Sequence, residues 1–387
     1  MQCKTEMGLA ACIGCNACMK ACPVADPELT IADLNHWTAV DVAMPGPVQK
    51  FTVECFQCGL CVPVCPSGVE RDTMMLWMKH RLPEHPPEYE KHLKHKGAGQ
   101  SVTRQLGITM YNLKKRPRMG SLGSHVDKGK LRVADTLFFF GCNIYSDTGL
   151  PEKVLALADY LKCDYEVLGG LRSCCGWPHY LAGEFDRAEA LMDRVYDRVL
   201  EVRPKEVVTI GAECYAALRR VVAVKGDLFT PVTAASWVRR NLHRFPLQRI
   251  PQIFTFHDAC HVTRKLGEGE EARRVLRQIG GFVEMEANGD DSPCCGHYQF
   301  EVNPEQVAAM RNNRLEMARQ TGADRMVVEC VRCQESFGPA GEAAGIPVVD
   351  LVDLVYEAID DDSPLIPQPV HFRRPLADDG VVGAEGA

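Results

Sequence analysis

From residue 131 onward the chain alternates short, wholly apolar runs with longer amphipathic ones. VADTLFFFGC (133–142) reads as a buried strand and PEKVLALADYL (151–161) as a helix with Pro151 in its first turn. CDYEVLG (163–169) reads as a strand, FDRAEALMDRVYDRVLEV (185–202) as a long helix and EVVTIGAEC (206–214) as a strand. The same order then returns. QIFTFHDAC (252–260) is a strand, EARRVLRQI (271–279) a helix, GFVEME (281–286) a strand, PEQVAAMRNNRLEMARQ (304–320) a long helix and DRMVVEC (324–330) a strand. Alternating strands and helices predict an α/β class with parallel sheets, here in two tandem units. Upstream, SGVERDTMMLWMKHRL (67–82) has the period of an amphipathic helix whose Met and Trp stripe packs a core. Between it and residue 131 the chain is rich in Pro, Gly and Lys, with turn signals such as GSLGSH. The expected organisation is a module over 1–82, a basic linker over 83–130, repeats over 131–245 and 246–362, and a flexible tail over 363–387.

Composition changes this picture in one respect. The 387 residues include 19 cysteines, while the 46% hydrophobic and 25% charged fractions are those of an ordinary globular protein. Disulfide-rich secreted domains are short, and the start MQCKTEMGLAAC has no apolar segment behind a basic one. Metal ligation in a cytoplasmic setting is therefore expected before disulfides. No apolar run approaches the roughly 20 residues of a membrane-spanning helix, so any membrane contact is expected to be peripheral, through a partner. A net charge of −7 gives no overall attraction to nucleic acid. The stretch from Lys79 to Arg132 is locally basic, and reads as a solvated linker or as a docking surface for an acidic partner.

CIGCNACMKACP (12–23) and CFQCGLCVPVCP (55–66) both follow C-x₂-C-x₂-C-x₃-C-P, the ligand spacing of two-cluster ferredoxins. Three thiolates on one short loop can cap three irons of a cube, and the fourth cysteine reaches the other cube. This assigns Cys12, Cys15, Cys18 and Cys65 to one [4Fe–4S] cubane cluster, and Cys55, Cys58, Cys61 and Cys22 to a second. Zinc sites use paired thiolates rather than runs of three. The segment between the copies is longer than in a minimal ferredoxin and resembles the helical variant fused to redox enzymes; His36 and Trp37 in it are expected to pack beside a cluster.

The remaining cysteines follow the duplication. Cys260 lies 118 residues after Cys142, Cys294 lies 120 after Cys174, and Cys333 lies 119 after Cys214. All fall at strand ends, where parallel α/β folds build their sites. The second repeat offers Cys260, Cys294, Cys295, Cys330 and Cys333. Five thiols exceed the four that zinc or a standard cube takes, and adjacent cysteines suit an irregular cluster with irons on two sides. The first repeat has Cys142, Cys174, Cys175 and Cys214, but Gly211 stands where the fifth cysteine belongs. It is left open between a further cluster and a structural remnant. Cys3 and Cys163 fit no motif.

The pattern C-x₃₃-CCG-x₃₃-CxxC resembles the cysteine-rich CCG domain of iron–sulfur oxidoreductases. A ferredoxin module followed by two CCG repeats is similar to the D-type subunit of heterodisulfide reductases. It is also similar to the iron–sulfur subunits of glycolate oxidase, lactate utilisation and anaerobic glycerol-3-phosphate dehydrogenase. The heterodisulfide reductase resemblance implies a noncubane [4Fe–4S] cluster on Cys260, Cys294, Cys295, Cys330 and Cys333. It implies reduction or formation of a disulfide or related sulfur bond there, in a complex with flavoprotein or membrane quinone or cytochrome subunits. The alternative is a relay between a flavoprotein dehydrogenase and a quinone, with no substrate chemistry in this chain.

Gly176 and Gly296, closing the two CCG triplets, are expected to allow close backbone approach to a cluster. His257 and His261 flank Cys260 and His297 follows the second triplet, which makes the three histidines candidate proton donors; taken singly, each also reads as a partner to cluster sulfur. No strand is followed by G-x-G-x-x-G and there is no P-loop, so flavin or nicotinamide chemistry is expected in a partner.

Overall fold

The computed structural model describes residues 8–83, 102–300 and 302–359. Cys3, the first part of the expected linker and the tail over 363–387 lie outside these residues. The N-terminal module is helical: α1 (Ile31–Ala39), α2 (Gly46–Glu54) and α3 (Arg71–His80) surround the two cysteine loops. Thr30 and Asp33 form a capping box that starts α1. The Met stripe of α3 is core, with Met74, Met75 and Met78 buried against Ile31, Leu34, Val48 and Phe51.

The expected linker is partly folded. Helix α4 (Val102–Lys115) occupies it, Leu122 and Val126 are buried in the main core, and Val126 bridges to Gly169 at the edge of a sheet. The turn signals hold, but Leu122 and Val126 are too sparse to register as a pattern. Lys79, at the start of the basic stretch, is buried and donates to the carbonyl of Cys55 at 2.8 Å, so it is a structural cation.

Each repeat forms one four-stranded parallel sheet. The first repeat runs β1 (Thr136–Gly141), α5 (Leu150–Tyr160), β2 (Tyr165–Gly169), α6 (Phe185–Val202), β3 (Glu206–Thr209), α7 (Ala212–Lys225), β4 (Thr230–Thr233) and α8 (Ala234–Asn241). The second runs β5 (Ile253–Phe256), α9 (Glu270–Ile279), β6 (Gly281–Phe282), α10 (Pro304–Gln320), β7 (Arg325–Val328), α11 (Val331–Ala343), β8 (Val348–Asp350) and α12 (Leu351–Ala358). The strand orders are β2-β1-β3-β4 and β6-β5-β7-β8, the same topology twice. All six residues of β1 are buried, as a central strand covered on both faces must be. The strand expected over 281–286 keeps only Gly281 and Phe282. The expected strands reaching Cys214 and Cys330 stop earlier, because α7 begins before Cys214 and Cys330 is already the N-cap of α11.

The two repeats are not separate bodies. One hydrophobic core takes in Phe138 and Phe140 of β1, Phe254 and Phe256 of β5, and apolar faces of α5, α8, α9 and α12. Burying one stripe of each helix between two sheets removes more apolar area from water than either repeat could alone. This shared layer holds the carboxyl ends of β1 and β3 in fixed relation to those of β5 and β7.

Candidate iron–sulfur centres

The thiols meet in four groups. In the N-terminal module one cavity is lined by Cys22, Cys55, Cys58 and Cys61, and a second by Cys12, Cys15 and Cys65, with Cys18 lining both. Backbone N–H groups point at these sulfurs, from Gly14 to Cys12 and from Val69 to Cys65, both at 3.4 Å. Such donors favour anionic sulfur. Burial and the neighbouring Cys55 and Cys58 sulfurs push the Cys22 thiol up to about 12. Burial pushes Cys58 up to about 11. Thiols gathered in this way ionise only if cations join them, which is the donor chemistry of a multi-iron guest. Among the described residues no group of three or more His, Cys, Asp or Glu side chains is set to hold a single metal ion. Thiolates that cap different irons of a cluster stand farther apart than ligands of one ion.

The second repeat brings its five cysteines together. Cys260 follows β5, and its sulfur is 3.9 Å from that of Cys294. Cys330 caps α11 and Cys333 lies in its first turn, where the helix end favours negative charge. Cys294, Cys295, Cys330 and Cys333 are all buried. The Gly296 N–H donates to Cys294 at 3.4 Å, and the Ala212 N–H, from the other repeat, donates to Cys330 at 3.4 Å. Hydrogen bonds from Cys294 and Cys333 pull the Cys295 thiol down. Hydrogen bonds donated to Cys295 and Cys330, with burial, push Cys333 well up.

Gly296 answers to packing as well as to the thiols. Its φ is +75°, and an added Cβ would meet Val307 of α10 at 3.0 Å and Phe56 of the N-terminal module at 3.4 Å. Gly176 repeats this, with φ +76° and the Ala188 carbonyl of α6 at 2.7 Å. Both glycines serve the left-handed turn and the close packing of the following long helix, and their backbone N–H groups also reach thiols, Gly296 that of Cys294 and Gly176 that of Cys174.

The histidines separate. His257 is buried, its Nδ1 accepts from Arg314 Nε at 3.2 Å, and burial beside that guanidinium holds it well below the usual imidazole range. That bond turns its Nδ1 to Arg314 rather than to the Cys260 sulfur. His261 Nδ1 lies 3.3 Å from the Cys260 sulfur, and its ring meets Trp177 edge-on at 5.7 Å. The backbone N–H of His297 supports Cys295, while its ring lies edge-on to Tyr298.

In the first repeat Cys214 is 3.7 Å from Cys175, and Cys142 and Cys174 are also hydrogen-bonded to one another. The place of the missing thiol is filled. Asn143 is buried and donates from Nδ2 to the Cys214 sulfur at 3.7 Å, and a Cβ on Gly211 would lie 2.5 Å from that nitrogen. The φ of Gly211 is −124°, which any residue adopts, so a side chain there requires only that the Asn143 amide move. Five thiolates do not fit here as the chain stands. Gly211→Cys is expected to cost about 1–3 kcal/mol of stability through overpacking, and Gly211→Cys with Asn143→Ala to recover most of it. Thermal unfolding of the two variants checks this; equal losses in both would show that Asn143 is not the obstacle.

Several contributors carry no motif of their own. Asn143 stands 118 residues before His261, the offset of the duplication, so comparing the repeats position by position could have found it. Arg332 lies inside the CxxC turn, pairs with Glu335 at 2.6 Å and reaches Cys142 of the first repeat at 3.6 Å. The Val331 N–H donates to the Ile210 carbonyl at 3.2 Å, so the two cysteine turns face each other. Arg264 donates to the Cys58 carbonyl at 2.5 Å, and also to the carbonyls of Asp290 and Ser292. Gln299 Nε2 reaches the carbonyls of Val53 and Cys55, and Gln306 Nε2 that of Pro23. These bonds seat the N-terminal module on the second repeat. At the seam Phe56, Cys58, Cys294, Val307 and Met310 form one buried cluster, against which Cys260 packs. Cys163 stands apart, packed against the main core.

Comparison with known proteins agrees with this layout. The cysteine-rich (CCG) domain matches residues 136–219 and 254–338, and the 4Fe-4S dicluster domain matches residues 11–70. A subunit of fumarate reductase (CoM/CoB) from Methanothermobacter marburgensis is 26% identical, over 92% of this chain and 73% of its own. The D-type subunit of dihydromethanophenazine:CoB–CoM heterodisulfide reductase from Methanosarcina barkeri is 25% identical, over 91% and 94%. A probable glycolate oxidase iron–sulfur subunit from Bacillus subtilis is 24% identical, over 91% and 94%. The chain belongs to the iron–sulfur oxidoreductase subunits built from a 4Fe–4S dicluster domain followed by tandem CCG cysteine-rich domains.

Proposed function

We propose that electrons enter at Cys12, Cys15, Cys18 and Cys65, pass to Cys22, Cys55, Cys58 and Cys61, and reach Cys260, Cys294, Cys295, Cys330 and Cys333, where a disulfide or related sulfur bond is reduced or formed. The observation that carries this reading is the seam: Cys58 of the inner dicluster site and Cys294 of the second CCG site share one buried apolar cluster. A short, dry contact between two redox sites is what a one-electron wire needs. The outer site lies toward solvent, with Cys15 exposed. The heterodisulfide reductase and glycolate oxidase relatives support both an electron-transfer role and a place in a larger complex.

The balance for the reduction is RSSR′ + 2e⁻ + 2H⁺ → RSH + R′SH. A noncubane [4Fe–4S] group held by the five thiolates would supply electron storage and an iron to which a substrate sulfur can bind. The chain's own residues supply the rest. Gly296 N–H and Ala212 N–H orient the Cys294 and Cys330 sulfurs. Phe56, Val307 and Met310 keep water from the seam. His261, with Nδ1 3.3 Å from the Cys260 sulfur, is the imidazole that stands against the thiols. Because about 30 mV is worth 1.4 kcal/mol for a two-electron couple, small changes in these surroundings set the direction.

The rival reading is a pure relay, and burial of four of the five thiols favours it. One measurement separates them. Adding a small disulfide to the reduced, isolated protein is expected to give a new paramagnetic signal; no signal, with rapid electron exchange between a flavoprotein and a quinone, would favour the relay. Metal analysis is expected to give about 12 iron atoms per chain, from three four-iron groups. About 8 would leave the second CCG site without its group and remove the catalytic reading.

A further inference from the structure

Helix α4 (Val102–Lys115) is turned the wrong way round for a helix facing water. Its inner face is partly polar: Asn112 Nδ2 donates to Asp127 at 2.8 Å and Asn112 accepts from Tyr145, beside buried Ile108. Its outer face is apolar. Leu106, Met110 and Leu113 follow at i, i+4 and i+7, a single ridge, and are 63%, 50% and 63% exposed. An ordinary surface helix places such a ridge inward.

The sequence through this helix is basic, and the next carboxylate along the chain, Asp127, is tied to Asn112 on the inner face. From Val102 to Val126 the sequence carries five Lys and Arg and no Asp or Glu, in a chain whose net charge is −7. Lys114 and Arg116, at the end of the helix, are exposed. An apolar ridge flanked by basic residues is the pattern of helices that lie in the membrane–water interface, the ridge sunk to the acyl boundary and the cations among phosphate headgroups. Spanning is not at issue, since no described helix is long and apolar enough to cross a bilayer.

We infer that the outward face of α4 seats this subunit directly on a bilayer surface rich in anionic phospholipid. The helix is pinned to the first repeat through Asn112 and Arg116, whose guanidinium donates to the Val126 carbonyl, so seating would orient the whole body on the membrane. A partner quinone or cytochrome subunit would then find the electron carrier already at the surface. The inference stands apart from the sulfur chemistry proposed above.

The test is co-sedimentation of the full-length, cluster-loaded protein with phosphatidylcholine vesicles, with and without about one-third phosphatidylglycerol. The expected result is at least tenfold stronger partition to the anionic vesicles, as two or more basic residues near the surface produce, weakening as salt rises. The triple variant Leu106→Gln, Met110→Gln, Leu113→Gln alters only exposed side chains. It is expected to lose vesicle binding by about tenfold or more, with iron content and visible absorbance unchanged. Three results would each overturn the inference: no sedimentation with anionic vesicles, equal partition to neutral ones, or undiminished binding by the triple variant. The first of these would mean that the ridge is covered by protein instead.

Discussion

Cys294→Ser is expected to bind about four fewer iron atoms than the parent chain while keeping the absorbance of the dicluster module. It is also expected to lower disulfide turnover by at least about 100-fold. Cys294 is the point where three features meet. Its sulfur is 3.9 Å from Cys260, it accepts the Gly296 N–H, and it packs with Cys58 across the seam. Serine keeps the size but replaces a soft, polarizable ligand with a hard one that binds iron poorly at neutral pH. Iron and sulfide analysis, with turnover of a small disulfide, reads both effects. Unchanged iron with unchanged turnover would show that the second CCG site is not the seat of the chemistry. Loss of iron with full electron exchange between carriers would move the chain to the relay class.

Arg314→Met should be the most damaging substitution outside the cysteines. Arg314 is fully buried on α10 and ties four separate acceptors: His257 Nδ1 at 3.2 Å, the Ala287 carbonyl at 2.6 Å, Ser292 Oγ at 3.0 Å and the Phe256 carbonyl at 3.4 Å. Together these fix the end of β5 and the loop leading to Cys294. Burial lowers its pKa to about 10, so the side chain is still charged at neutral pH. Methionine fills similar volume but leaves the acceptors without a donor in a dry interior. The expected cost is about 3–5 kcal/mol, or a fall in Tm of roughly 10 °C. Arg314→Lys should recover only part, because one ammonium cannot span four acceptors. Thermal unfolding of the cluster-loaded protein measures this; a variant as stable as the parent would mean that the loop is held by other contacts.

The expectations that fail share a cause. His257, His261 and His297 look equivalent as sequence, since each sits within three residues of a candidate ligand. Packing separates them. Arg314, 57 residues away, engages Nδ1 of His257, while His261 keeps its contact with Cys260. The two CCG glycines carry more than their spacing announces: each packs against a long helix, α10 or α6, while its backbone N–H reaches a thiol. The folded part of the linker escapes a sequence reading because its core contacts, Leu122 and Val126, are single residues without a period.

The duplication, the two dicluster loops, the alternating α/β pattern and the five-against-four imbalance of thiols are all written in residue type and spacing. Spacing is local, and a C-x₂-C-x₂-C run or a strand-to-helix turn needs nothing distant to take shape. What spacing could not decide is which sites touch. The seam between Cys58 and Cys294 depends on Arg264, Gln299 and Gln306 reaching backbone carbonyls of another module. The facing cysteine turns depend on a core shared by both sheets. The filling of the fifth position by Asn143 depends on a side chain 68 residues before Gly211. Contacts of this kind arise only when the chain closes on itself, and they decide whether separate thiol sites form a single path for electrons.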